Sequence, residues 1–344
     1  MAEIFSLKPG QRLSDLYEVW REVVEGRVIA EAAATPQFPV LLKDGLRALL
    51  FSEFAGIATE WQNLVQTVPS NKQFETWLRT QGMGTLPKVD EQGTYQQLNA
   101  PDLKPETVIQ NFKRGGILSV TEEMIRFDKY GVIQSNVRDL AGAAAQTREE
   151  AVFTALCTAA SYASTTSDNK IGNNTSTNGL SPANIITAYN TLITMFDRAS
   201  GRPLGIIPDT LVTTPDNAFF ANQLLMSPTL GRTGAATFDA NVAADIYGQG
   251  VRNPFFGLVK RIIISYWLRD KGTQYAWILC QAKKGVVLQE VEGLQLLDLR
   301  AEAANESYFT QDMYRYRVRD WFGVGIVDDR YLYYANSTTA PAVG

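Results

Sequence analysis

The chain has 344 residues, 45% hydrophobic, 10% aromatic and 20% charged, the balance of a globular protein with a sizeable core rather than of a disordered one. Its 32 basic and 36 acidic residues give a net charge of −4, which excludes a protein whose main task is to grip duplex DNA with a clustered basic face. Histidine is absent, so Ser/His/Asp and Cys/His nucleophilic catalysis within this chain is excluded as well.

No uncharged apolar run reaches membrane-spanning length, and Met1 to Gly10 lacks the basic and apolar regions of a signal peptide, so a soluble protein made in the cytoplasm is expected. The first amphipathic segment begins near Ser14, with Leu16, Trp20, Val23 and Val24 at helical spacing, and dissolves at Thr35-Pro36. It is too short for a core of its own and reads as an arm. From Gln73 the chain alternates as a strand through Phe74, Thr76 and Leu78, breaks at Gly82-Met83-Gly84, and resumes as a strand from Val108 to Leu118. A two-stranded excursion is marginal by itself in water, so this one is expected to lie on something else, most simply another subunit.

Thr147-x-x-Glu150 has the form of a capping box and predicts a helix start, with Val152, Leu156, Ala159 and Ala160 on one stripe. The Ser/Thr/Asn-rich run from Ser164 to Asn178 predicts an exposed loop. Ser181-Pro182 starts a helix through Ile185, Tyr189, Leu192 and Phe196 that stops at Gly201, and Thr214-Pro215 starts another that stops before Pro228. Between them Thr210 to Thr213 reads as a buried strand. Further strands are expected at Lys260 to Ser265, Tyr275 to Leu279 and Val286 to Gln289, followed by a closing pair at Tyr314 to Val318 and Val324 to Ile326. Helices and strands mix without regular alternation, which makes the fold class α+β.

Few residues invite chemistry. Asp328-Asp329-Arg330 places two acids side by side, where an extended chain points them to opposite faces, as a turn would use them. Glu122, Glu123 and Asp128 follow Thr121 as acids of a first helical turn do. Cys157 and Cys280 sit in apolar surroundings and read as buried free thiols. No phosphate-cradling glycine pattern, cofactor motif or metal-ligand spacing appears, so no catalytic residue, cofactor or metal is expected. The densest basic stretches, Lys113-Arg114 and Arg315-x-Arg317-x-Arg319, alternate with other residues as one face of a strand does.

The ordered set of these stretches resembles the Hong Kong 97 phage type of major capsid protein of tailed bacteriophages. FKRGGILSVTEEMIRFD (112–128) resembles the family's return from an extended loop into a peripheral domain, and the helix from Thr147 takes the place of its spine. PDTLVTTPDNAFFANQLLMSP (208–228) resembles its axial domain, and NPFFGLVKRIIISYWLRD (253–270) and YAWILCQAKKGVVLQEVEG (275–293) the strands after it. FTQDMYRYRVRDWFGVGIVDDRYLYY (309–334) looks like the closing strands. The resemblance implies an N-terminal arm at 1–55 and a peripheral domain at 56–72 and 119–180 with its spine helix at about 147–163. It also implies an extended loop at 73–118, an axial domain at 181–300, and return strands with a tail at 301–344.

The implied role is a structural shell subunit of the virion, assembled in the host cytoplasm into hexamers and pentamers of an icosahedral head around double-stranded DNA. Implied partners are further copies of itself, a portal protein, separate scaffolding and cement proteins, and weak non-specific contact with the packaged DNA. Trp20, Met83, Leu86, Lys88, Tyr95, Phe255 and Phe256 are the expected inter-subunit contacts. Only about 50 residues precede the body, so a scaffolding segment removed on maturation is not expected here. Some relatives weld subunits by a Lys–Asn isopeptide bond; Lys88 has a suitable place, but Asp312 stands where the asparagine would, so no crosslink is expected. Two alternatives stand beside this reading: an encapsulin-type bacterial compartment shell, and a carboxylate-dependent hydrolase using acids among Glu122, Asp128, Asp328 and Asp329.

Overall fold

A computed structural model describes residues 38–79, 86–91, 94–95, 104–121, 123–124, 130–158, 174–197, 202–230, 251–298 and 313–341. Its elements in chain order begin with α1 (Phe38–Gly56), β1 (Gln66–Pro69), β2 (Phe74–Arg79), β3 (Lys104–Gln110), β4 (Phe112–Thr121) and α2 (Tyr130–Cys157). Next come β5 (Thr175–Ser176), α3 (Pro182–Ile193), β6 (Phe196–Asp197), β7 (Arg202–Pro203), β8 (Thr210–Thr213), α4 (Ala218–Leu225), β9 (Thr229–Leu230) and β10 (Val251–Arg252). The chain closes with β11 (Arg261–Ile264), α5 (Tyr266–Lys271), β12 (Trp277–Cys280), β13 (Val286–Asp298), β14 (Met313–Ile326) and β15 (Leu332–Ala335). The chain divides into two compact units, one of residues 1–59, 112–148 and 291–322, the other of 60–111, 149–290 and 323–344.

In the first unit β13, β14 and β4 lie side by side in that order, with β14 and β4 antiparallel from Met313↔Thr121 to Phe322↔Phe112. Alternation decides which face is buried: Tyr316 and Val318 of β14, Val120 of β4, and Leu294 and Leu296 of β13 point one way. Helices supply the other half of this core. Leu46, Leu49 and Leu50 on α1 recur at helical spacing, as do Ile133, Val137 and Ala141 on α2, and all are buried against the sheet.

The second unit is built on a five-stranded mixed sheet ordered β11-β8-β12-β15-β5. The three central strands, TLVT, WILC and LYYA, are buried at every position, which is why their sequences run apolar without alternation. Ile185, Ala188 and Leu192 recur along one side of α3 and pack into the core over this sheet with Leu224 and Leu225 of α4, while Trp277 and Tyr333 stack at 5.6 Å. In the same unit β1 runs parallel to Val287–Glu290 of β13.

Several expectations need correction. The helix expected to start at Thr147 starts at Tyr130, and Thr147 lies inside it, its hydroxyl donating to the Ala143 carbonyl at 2.7 Å. The apolar spacing of Ile133, Val137 and Ala141 continues upstream through an alanine-rich stretch of high helix propensity, which overrides the capping signature. α3 stops at Ile193 rather than Gly201, because Met195 turns fully into the core and Phe196 joins β6, paired with β7. The closing pair of strands is one continuous strand, β14, followed by the separate buried strand β15. By contrast Ser181 caps α3 as expected, accepting from the Asn184 amide at 3.2 Å, with Pro182 in the first turn. The segment from Ser14 to Thr35 lies outside the described residues.

Candidate assembly surfaces

The hairpin of β2 and β3 pairs Phe74 with Gln110, Thr76 with Val108 and Leu78 with Pro105. Phe74, Leu78 and Val108 share one face and are exposed, an apolar surface on an element too thin to have a core. The opposite face is anchored. Ile109, buried, fits against Gly323 and Gly325 of β14, where a Cβ on Gly325 would stand 2.6 Å from Ile109 Cγ1 and one on Gly323 would stand 2.7 Å from the Gln110 carbonyl oxygen. Two missing side chains thus make the seat for one isoleucine. Thr107 donates its hydroxyl to the Ile326 carbonyl at 3.2 Å, and Asn111 donates to the Lys72 carbonyl at 2.7 Å and to Ser70 Oγ at 3.1 Å. These bonds fix the base of the hairpin and leave its outer face exposed.

The residues singled out as contacts distribute unevenly. Leu86 and Tyr95 are 80% and 85% exposed, and Lys88 is exposed with a surface ion pair to Asp90 at 3.3 Å, of little energetic weight. Phe256 is 54% exposed, whereas Phe255 is only 5% exposed and belongs to the core of the second unit, because Asn253, which accepts from the Phe255 amide at 2.9 Å, turns that ring inward. Phe255 is therefore spent within its own subunit. Trp20 and Met83 lie outside the described residues. Sequence reading missed Phe219 and Tyr266, two of the most exposed aromatics of the second unit, because each stands beside another aromatic that is half-buried, Phe220 and Trp267, and nothing in the local pattern tells the two apart.

Two of the four acids named as chemical candidates, Asp328 and Asp329, are among the described residues, and Asp329 is buried. Glu122 and Asp128 are outside the described residues. Asp328 accepts from the Arg330 amide at 3.1 Å and from its guanidinium Nη2 at 2.6 Å, so its carboxylate closes a turn. Among the described residues, a closer meeting of acids has no signature in the sequence. Glu149 accepts from the Glu60 amide at 2.5 Å, and burial pushes both carboxyl groups above the ordinary carboxylate range, Glu60 further raised by the charge of Glu149 and lowered by a hydrogen bond with Ser265. The pair holds the turn at Trp61–Asn63 to α2. The thiols of Cys157 and Cys280 are both pushed up to about 12 by burial, which keeps them protonated and unreactive. Among the described residues no group of acids and thiols is placed to hold a metal ion, and no helix is long and apolar enough to cross a membrane.

A family model described as phage capsid protein matches residues 105–335. No curated protein matches. Among solved structures, the chain is similar to the procapsid of bacteriophage JBD30 (18% identity, 89% of this chain and 77% of that one, TM-score 0.45). It is similar also to the capsid of the cyanophage P-SCSP1u (14% identity, 82% and 89%, TM-score 0.49). A third similarity is to the capsid of a native GTA particle (11% identity, 83% and 92%, TM-score 0.47).

Proposed function

The chain belongs to the phage capsid protein family, and from that premise we propose that it is a major head subunit which closes into an icosahedral shell of hexamers and pentamers around double-stranded DNA. Its capsid role is structural, and its α+β architecture agrees with the Hong Kong 97 phage type of fold. In this reading the subunit is not an enzyme, and its work lies in many modest interfaces repeated by symmetry. The observation that carries the assembly mechanism is the β2–β3 hairpin, anchored on one face through Ile109 and presenting Phe74, Leu78 and Val108 on the other. An apolar face of this kind on a thin element is stabilised when a neighbouring copy covers it. Leu86, Lys88, Tyr95 and Phe256, with Trp20 and Met83, are further proposed contacts. Assembly takes place in the host cytoplasm with a portal protein, and scaffolding, where it is used, falls to a separate protein. The acidic balance of the chain keeps its contact with packaged DNA weak and non-specific. No covalent crosslink is part of the mechanism, since Asp312 stands where a crosslinking asparagine would.

Deleting Gly82 to Pro101 tests the role of the loop. The shortened subunit is expected to remain soluble and folded by circular dichroism and to form no closed shells under the electron microscope. Normal particles from the deletion overturn that role. Nucleic acid rather than protein cargo inside purified shells separates a phage head from a bacterial compartment.

A further inference from the structure

Asn178-Gly179 is the one Asn-Gly dipeptide of the sequence. It lies in the second unit, on the connection between β5 and α3, with the Asn178 side chain exposed. The backbone of this dipeptide is held at every polar group but one. The Asn178 amide donates to Ser176 Oγ at 3.0 Å, the Asn178 carbonyl accepts from Trp277 Nε1 at 3.1 Å, and the Gly179 carbonyl accepts from Asn184 Nδ2 at 2.7 Å. Among the described residues the Gly179 N–H has no acceptor, and the Asn178 side-chain amide has no partner either. These are the two groups through which an asparagine and the residue after it react with each other. A Cβ on Gly179 would stand 2.8 Å from the Thr339 carbonyl oxygen, so packing requires glycine here, and glycine leaves the neighbouring nitrogen unshielded.

We propose that Asn178 is a site of spontaneous covalent modification, converted by its own backbone to a mixture of aspartate and isoaspartate. The Gly179 nitrogen gives its proton to solvent and attacks Asn178 Cγ. The N–Cγ bond forms, the Cγ–Nδ2 bond breaks, and the side-chain nitrogen takes up a proton and leaves as ammonia, which closes a five-membered imide. Water then opens the imide at either carbonyl: breaking the new N–Cγ bond leaves aspartate, and breaking the bond from that nitrogen to the original main-chain carbonyl carbon leaves isoaspartate. Nothing is oxidised or reduced, and water is the only co-reactant. Asn184, close by, shows why the reaction selects Asn178: the amide that follows it, of Ile185, is committed to the Ser181 carbonyl at 3.0 Å and carries a branched side chain. The isoaspartate product turns the carbonyl that meets Trp277 into a free carboxylate and lengthens the path from Ser176 to α3 by a methylene. Trp277 is fully buried on β12, so the change loosens the seat of a core side chain and leaves its indole N–H without the acceptor it had.

The purified full chain is held for weeks in mildly alkaline buffer well below its melting temperature, then digested and mapped by mass spectrometry, with isoaspartate measured by enzymatic methylation. Conversion at Asn178 is expected to run roughly tenfold ahead of that at Asn184, whose following amide must first leave its helix bond. It is expected to quicken as pH rises, because the attacking nitrogen must lose its proton, and to lower the melting temperature of the aged protein. Asn178→Gln, which would have to close a larger ring, is expected to keep its melting temperature through the same incubation. Conversion at Asn178 no faster than at Asn184 overturns the inference, as does an Asn178→Gln protein whose melting temperature falls in step with that of the wild type. The measurement needs only the folded subunit, so its outcome stands apart from whether shells form.

Discussion

Arg148 and Asp320, 172 positions apart, form a bidentate pair in the first unit, Nε donating to Oδ2 at 2.8 Å and Nη2 to Oδ1 at 2.9 Å, with both side chains only 7% exposed. The guanidinium lies 5.5 Å from the ring centres of Phe54 and Phe322. The pair thus joins the end of the α2 segment in this unit to β14 where water is excluded. Buried pairs of this kind are costly to break from one side, because the remaining charge has nowhere to go. Asp320→Ala is expected to destabilise the unassembled subunit by about 3–5 kcal/mol in urea unfolding, and the double replacement Arg148→Met/Asp320→Leu by far less. Equal losses from the single and double variants would show that packing, not the charge, matters here.

The seat of the hairpin gives a second prediction. A Cβ on Gly325 meets mainly the side chain of Ile109, whereas one on Gly323 meets the side-chain oxygen of Asn111 and the backbone oxygen of Gln110. Gly325→Ala is expected to cost about 1–3 kcal/mol, and Ile109→Ala to restore part of it in the double variant. Gly323→Ala is expected not to be rescued by Ile109→Ala, because backbone cannot be trimmed away. A double-mutant cycle on thermal unfolding measures both.

Acid and base should act on the second unit through Glu60 and Glu149. Both carboxyl groups are raised by burial above their ordinary value of 4.5, so the folded state holds protons that the unfolded state releases. Their favourable share of stability is fully present below that ordinary value and is lost as pH rises through the raised folded ones. Glu149→Gln is therefore expected to flatten the fall in unfolding free energy as pH rises from the ordinary carboxyl range toward neutrality. A variant with the same slope as the wild type would assign the pH dependence to other groups.

The outer face of the hairpin separates folding from assembly. Replacing Phe74, Leu78 and Val108 with Ser, Gln and Thr removes exposed apolar surface without touching the Ile109 side. The melting temperature of the unassembled subunit is expected to change by no more than a few degrees, while shells fail to close. A large drop in melting temperature would mean that this face is packed within the subunit itself.

Legibility in the sequence follows the range of the forces involved. The Ser181-Pro182 start of α3 and the buried run Thr210 to Thr213 are written in neighbouring residues, and both are readable there. Thr147 misleads, since a cap signature looks the same whether or not the upstream Ile133–Val137–Ala141 stripe has sheet to pack on. Of the contact residues, Leu86, Tyr95 and Phe256 are exposed, but nothing local tells Phe255 from Phe256; that choice belongs to Asn253 and the core beyond it. The Glu60–Glu149 meeting and the Arg148–Asp320 pair depend on strand pairing and helix packing between distant segments. They become visible only with the fold.

The central claim, that the function of this chain is to build a closed shell, is tested most directly by negative-stain electron microscopy of the purified full-length protein. The account predicts closed particles of uniform size, built from this subunit. A protein that stays monomeric by light scattering at every concentration, with no particles in any field, would contradict it.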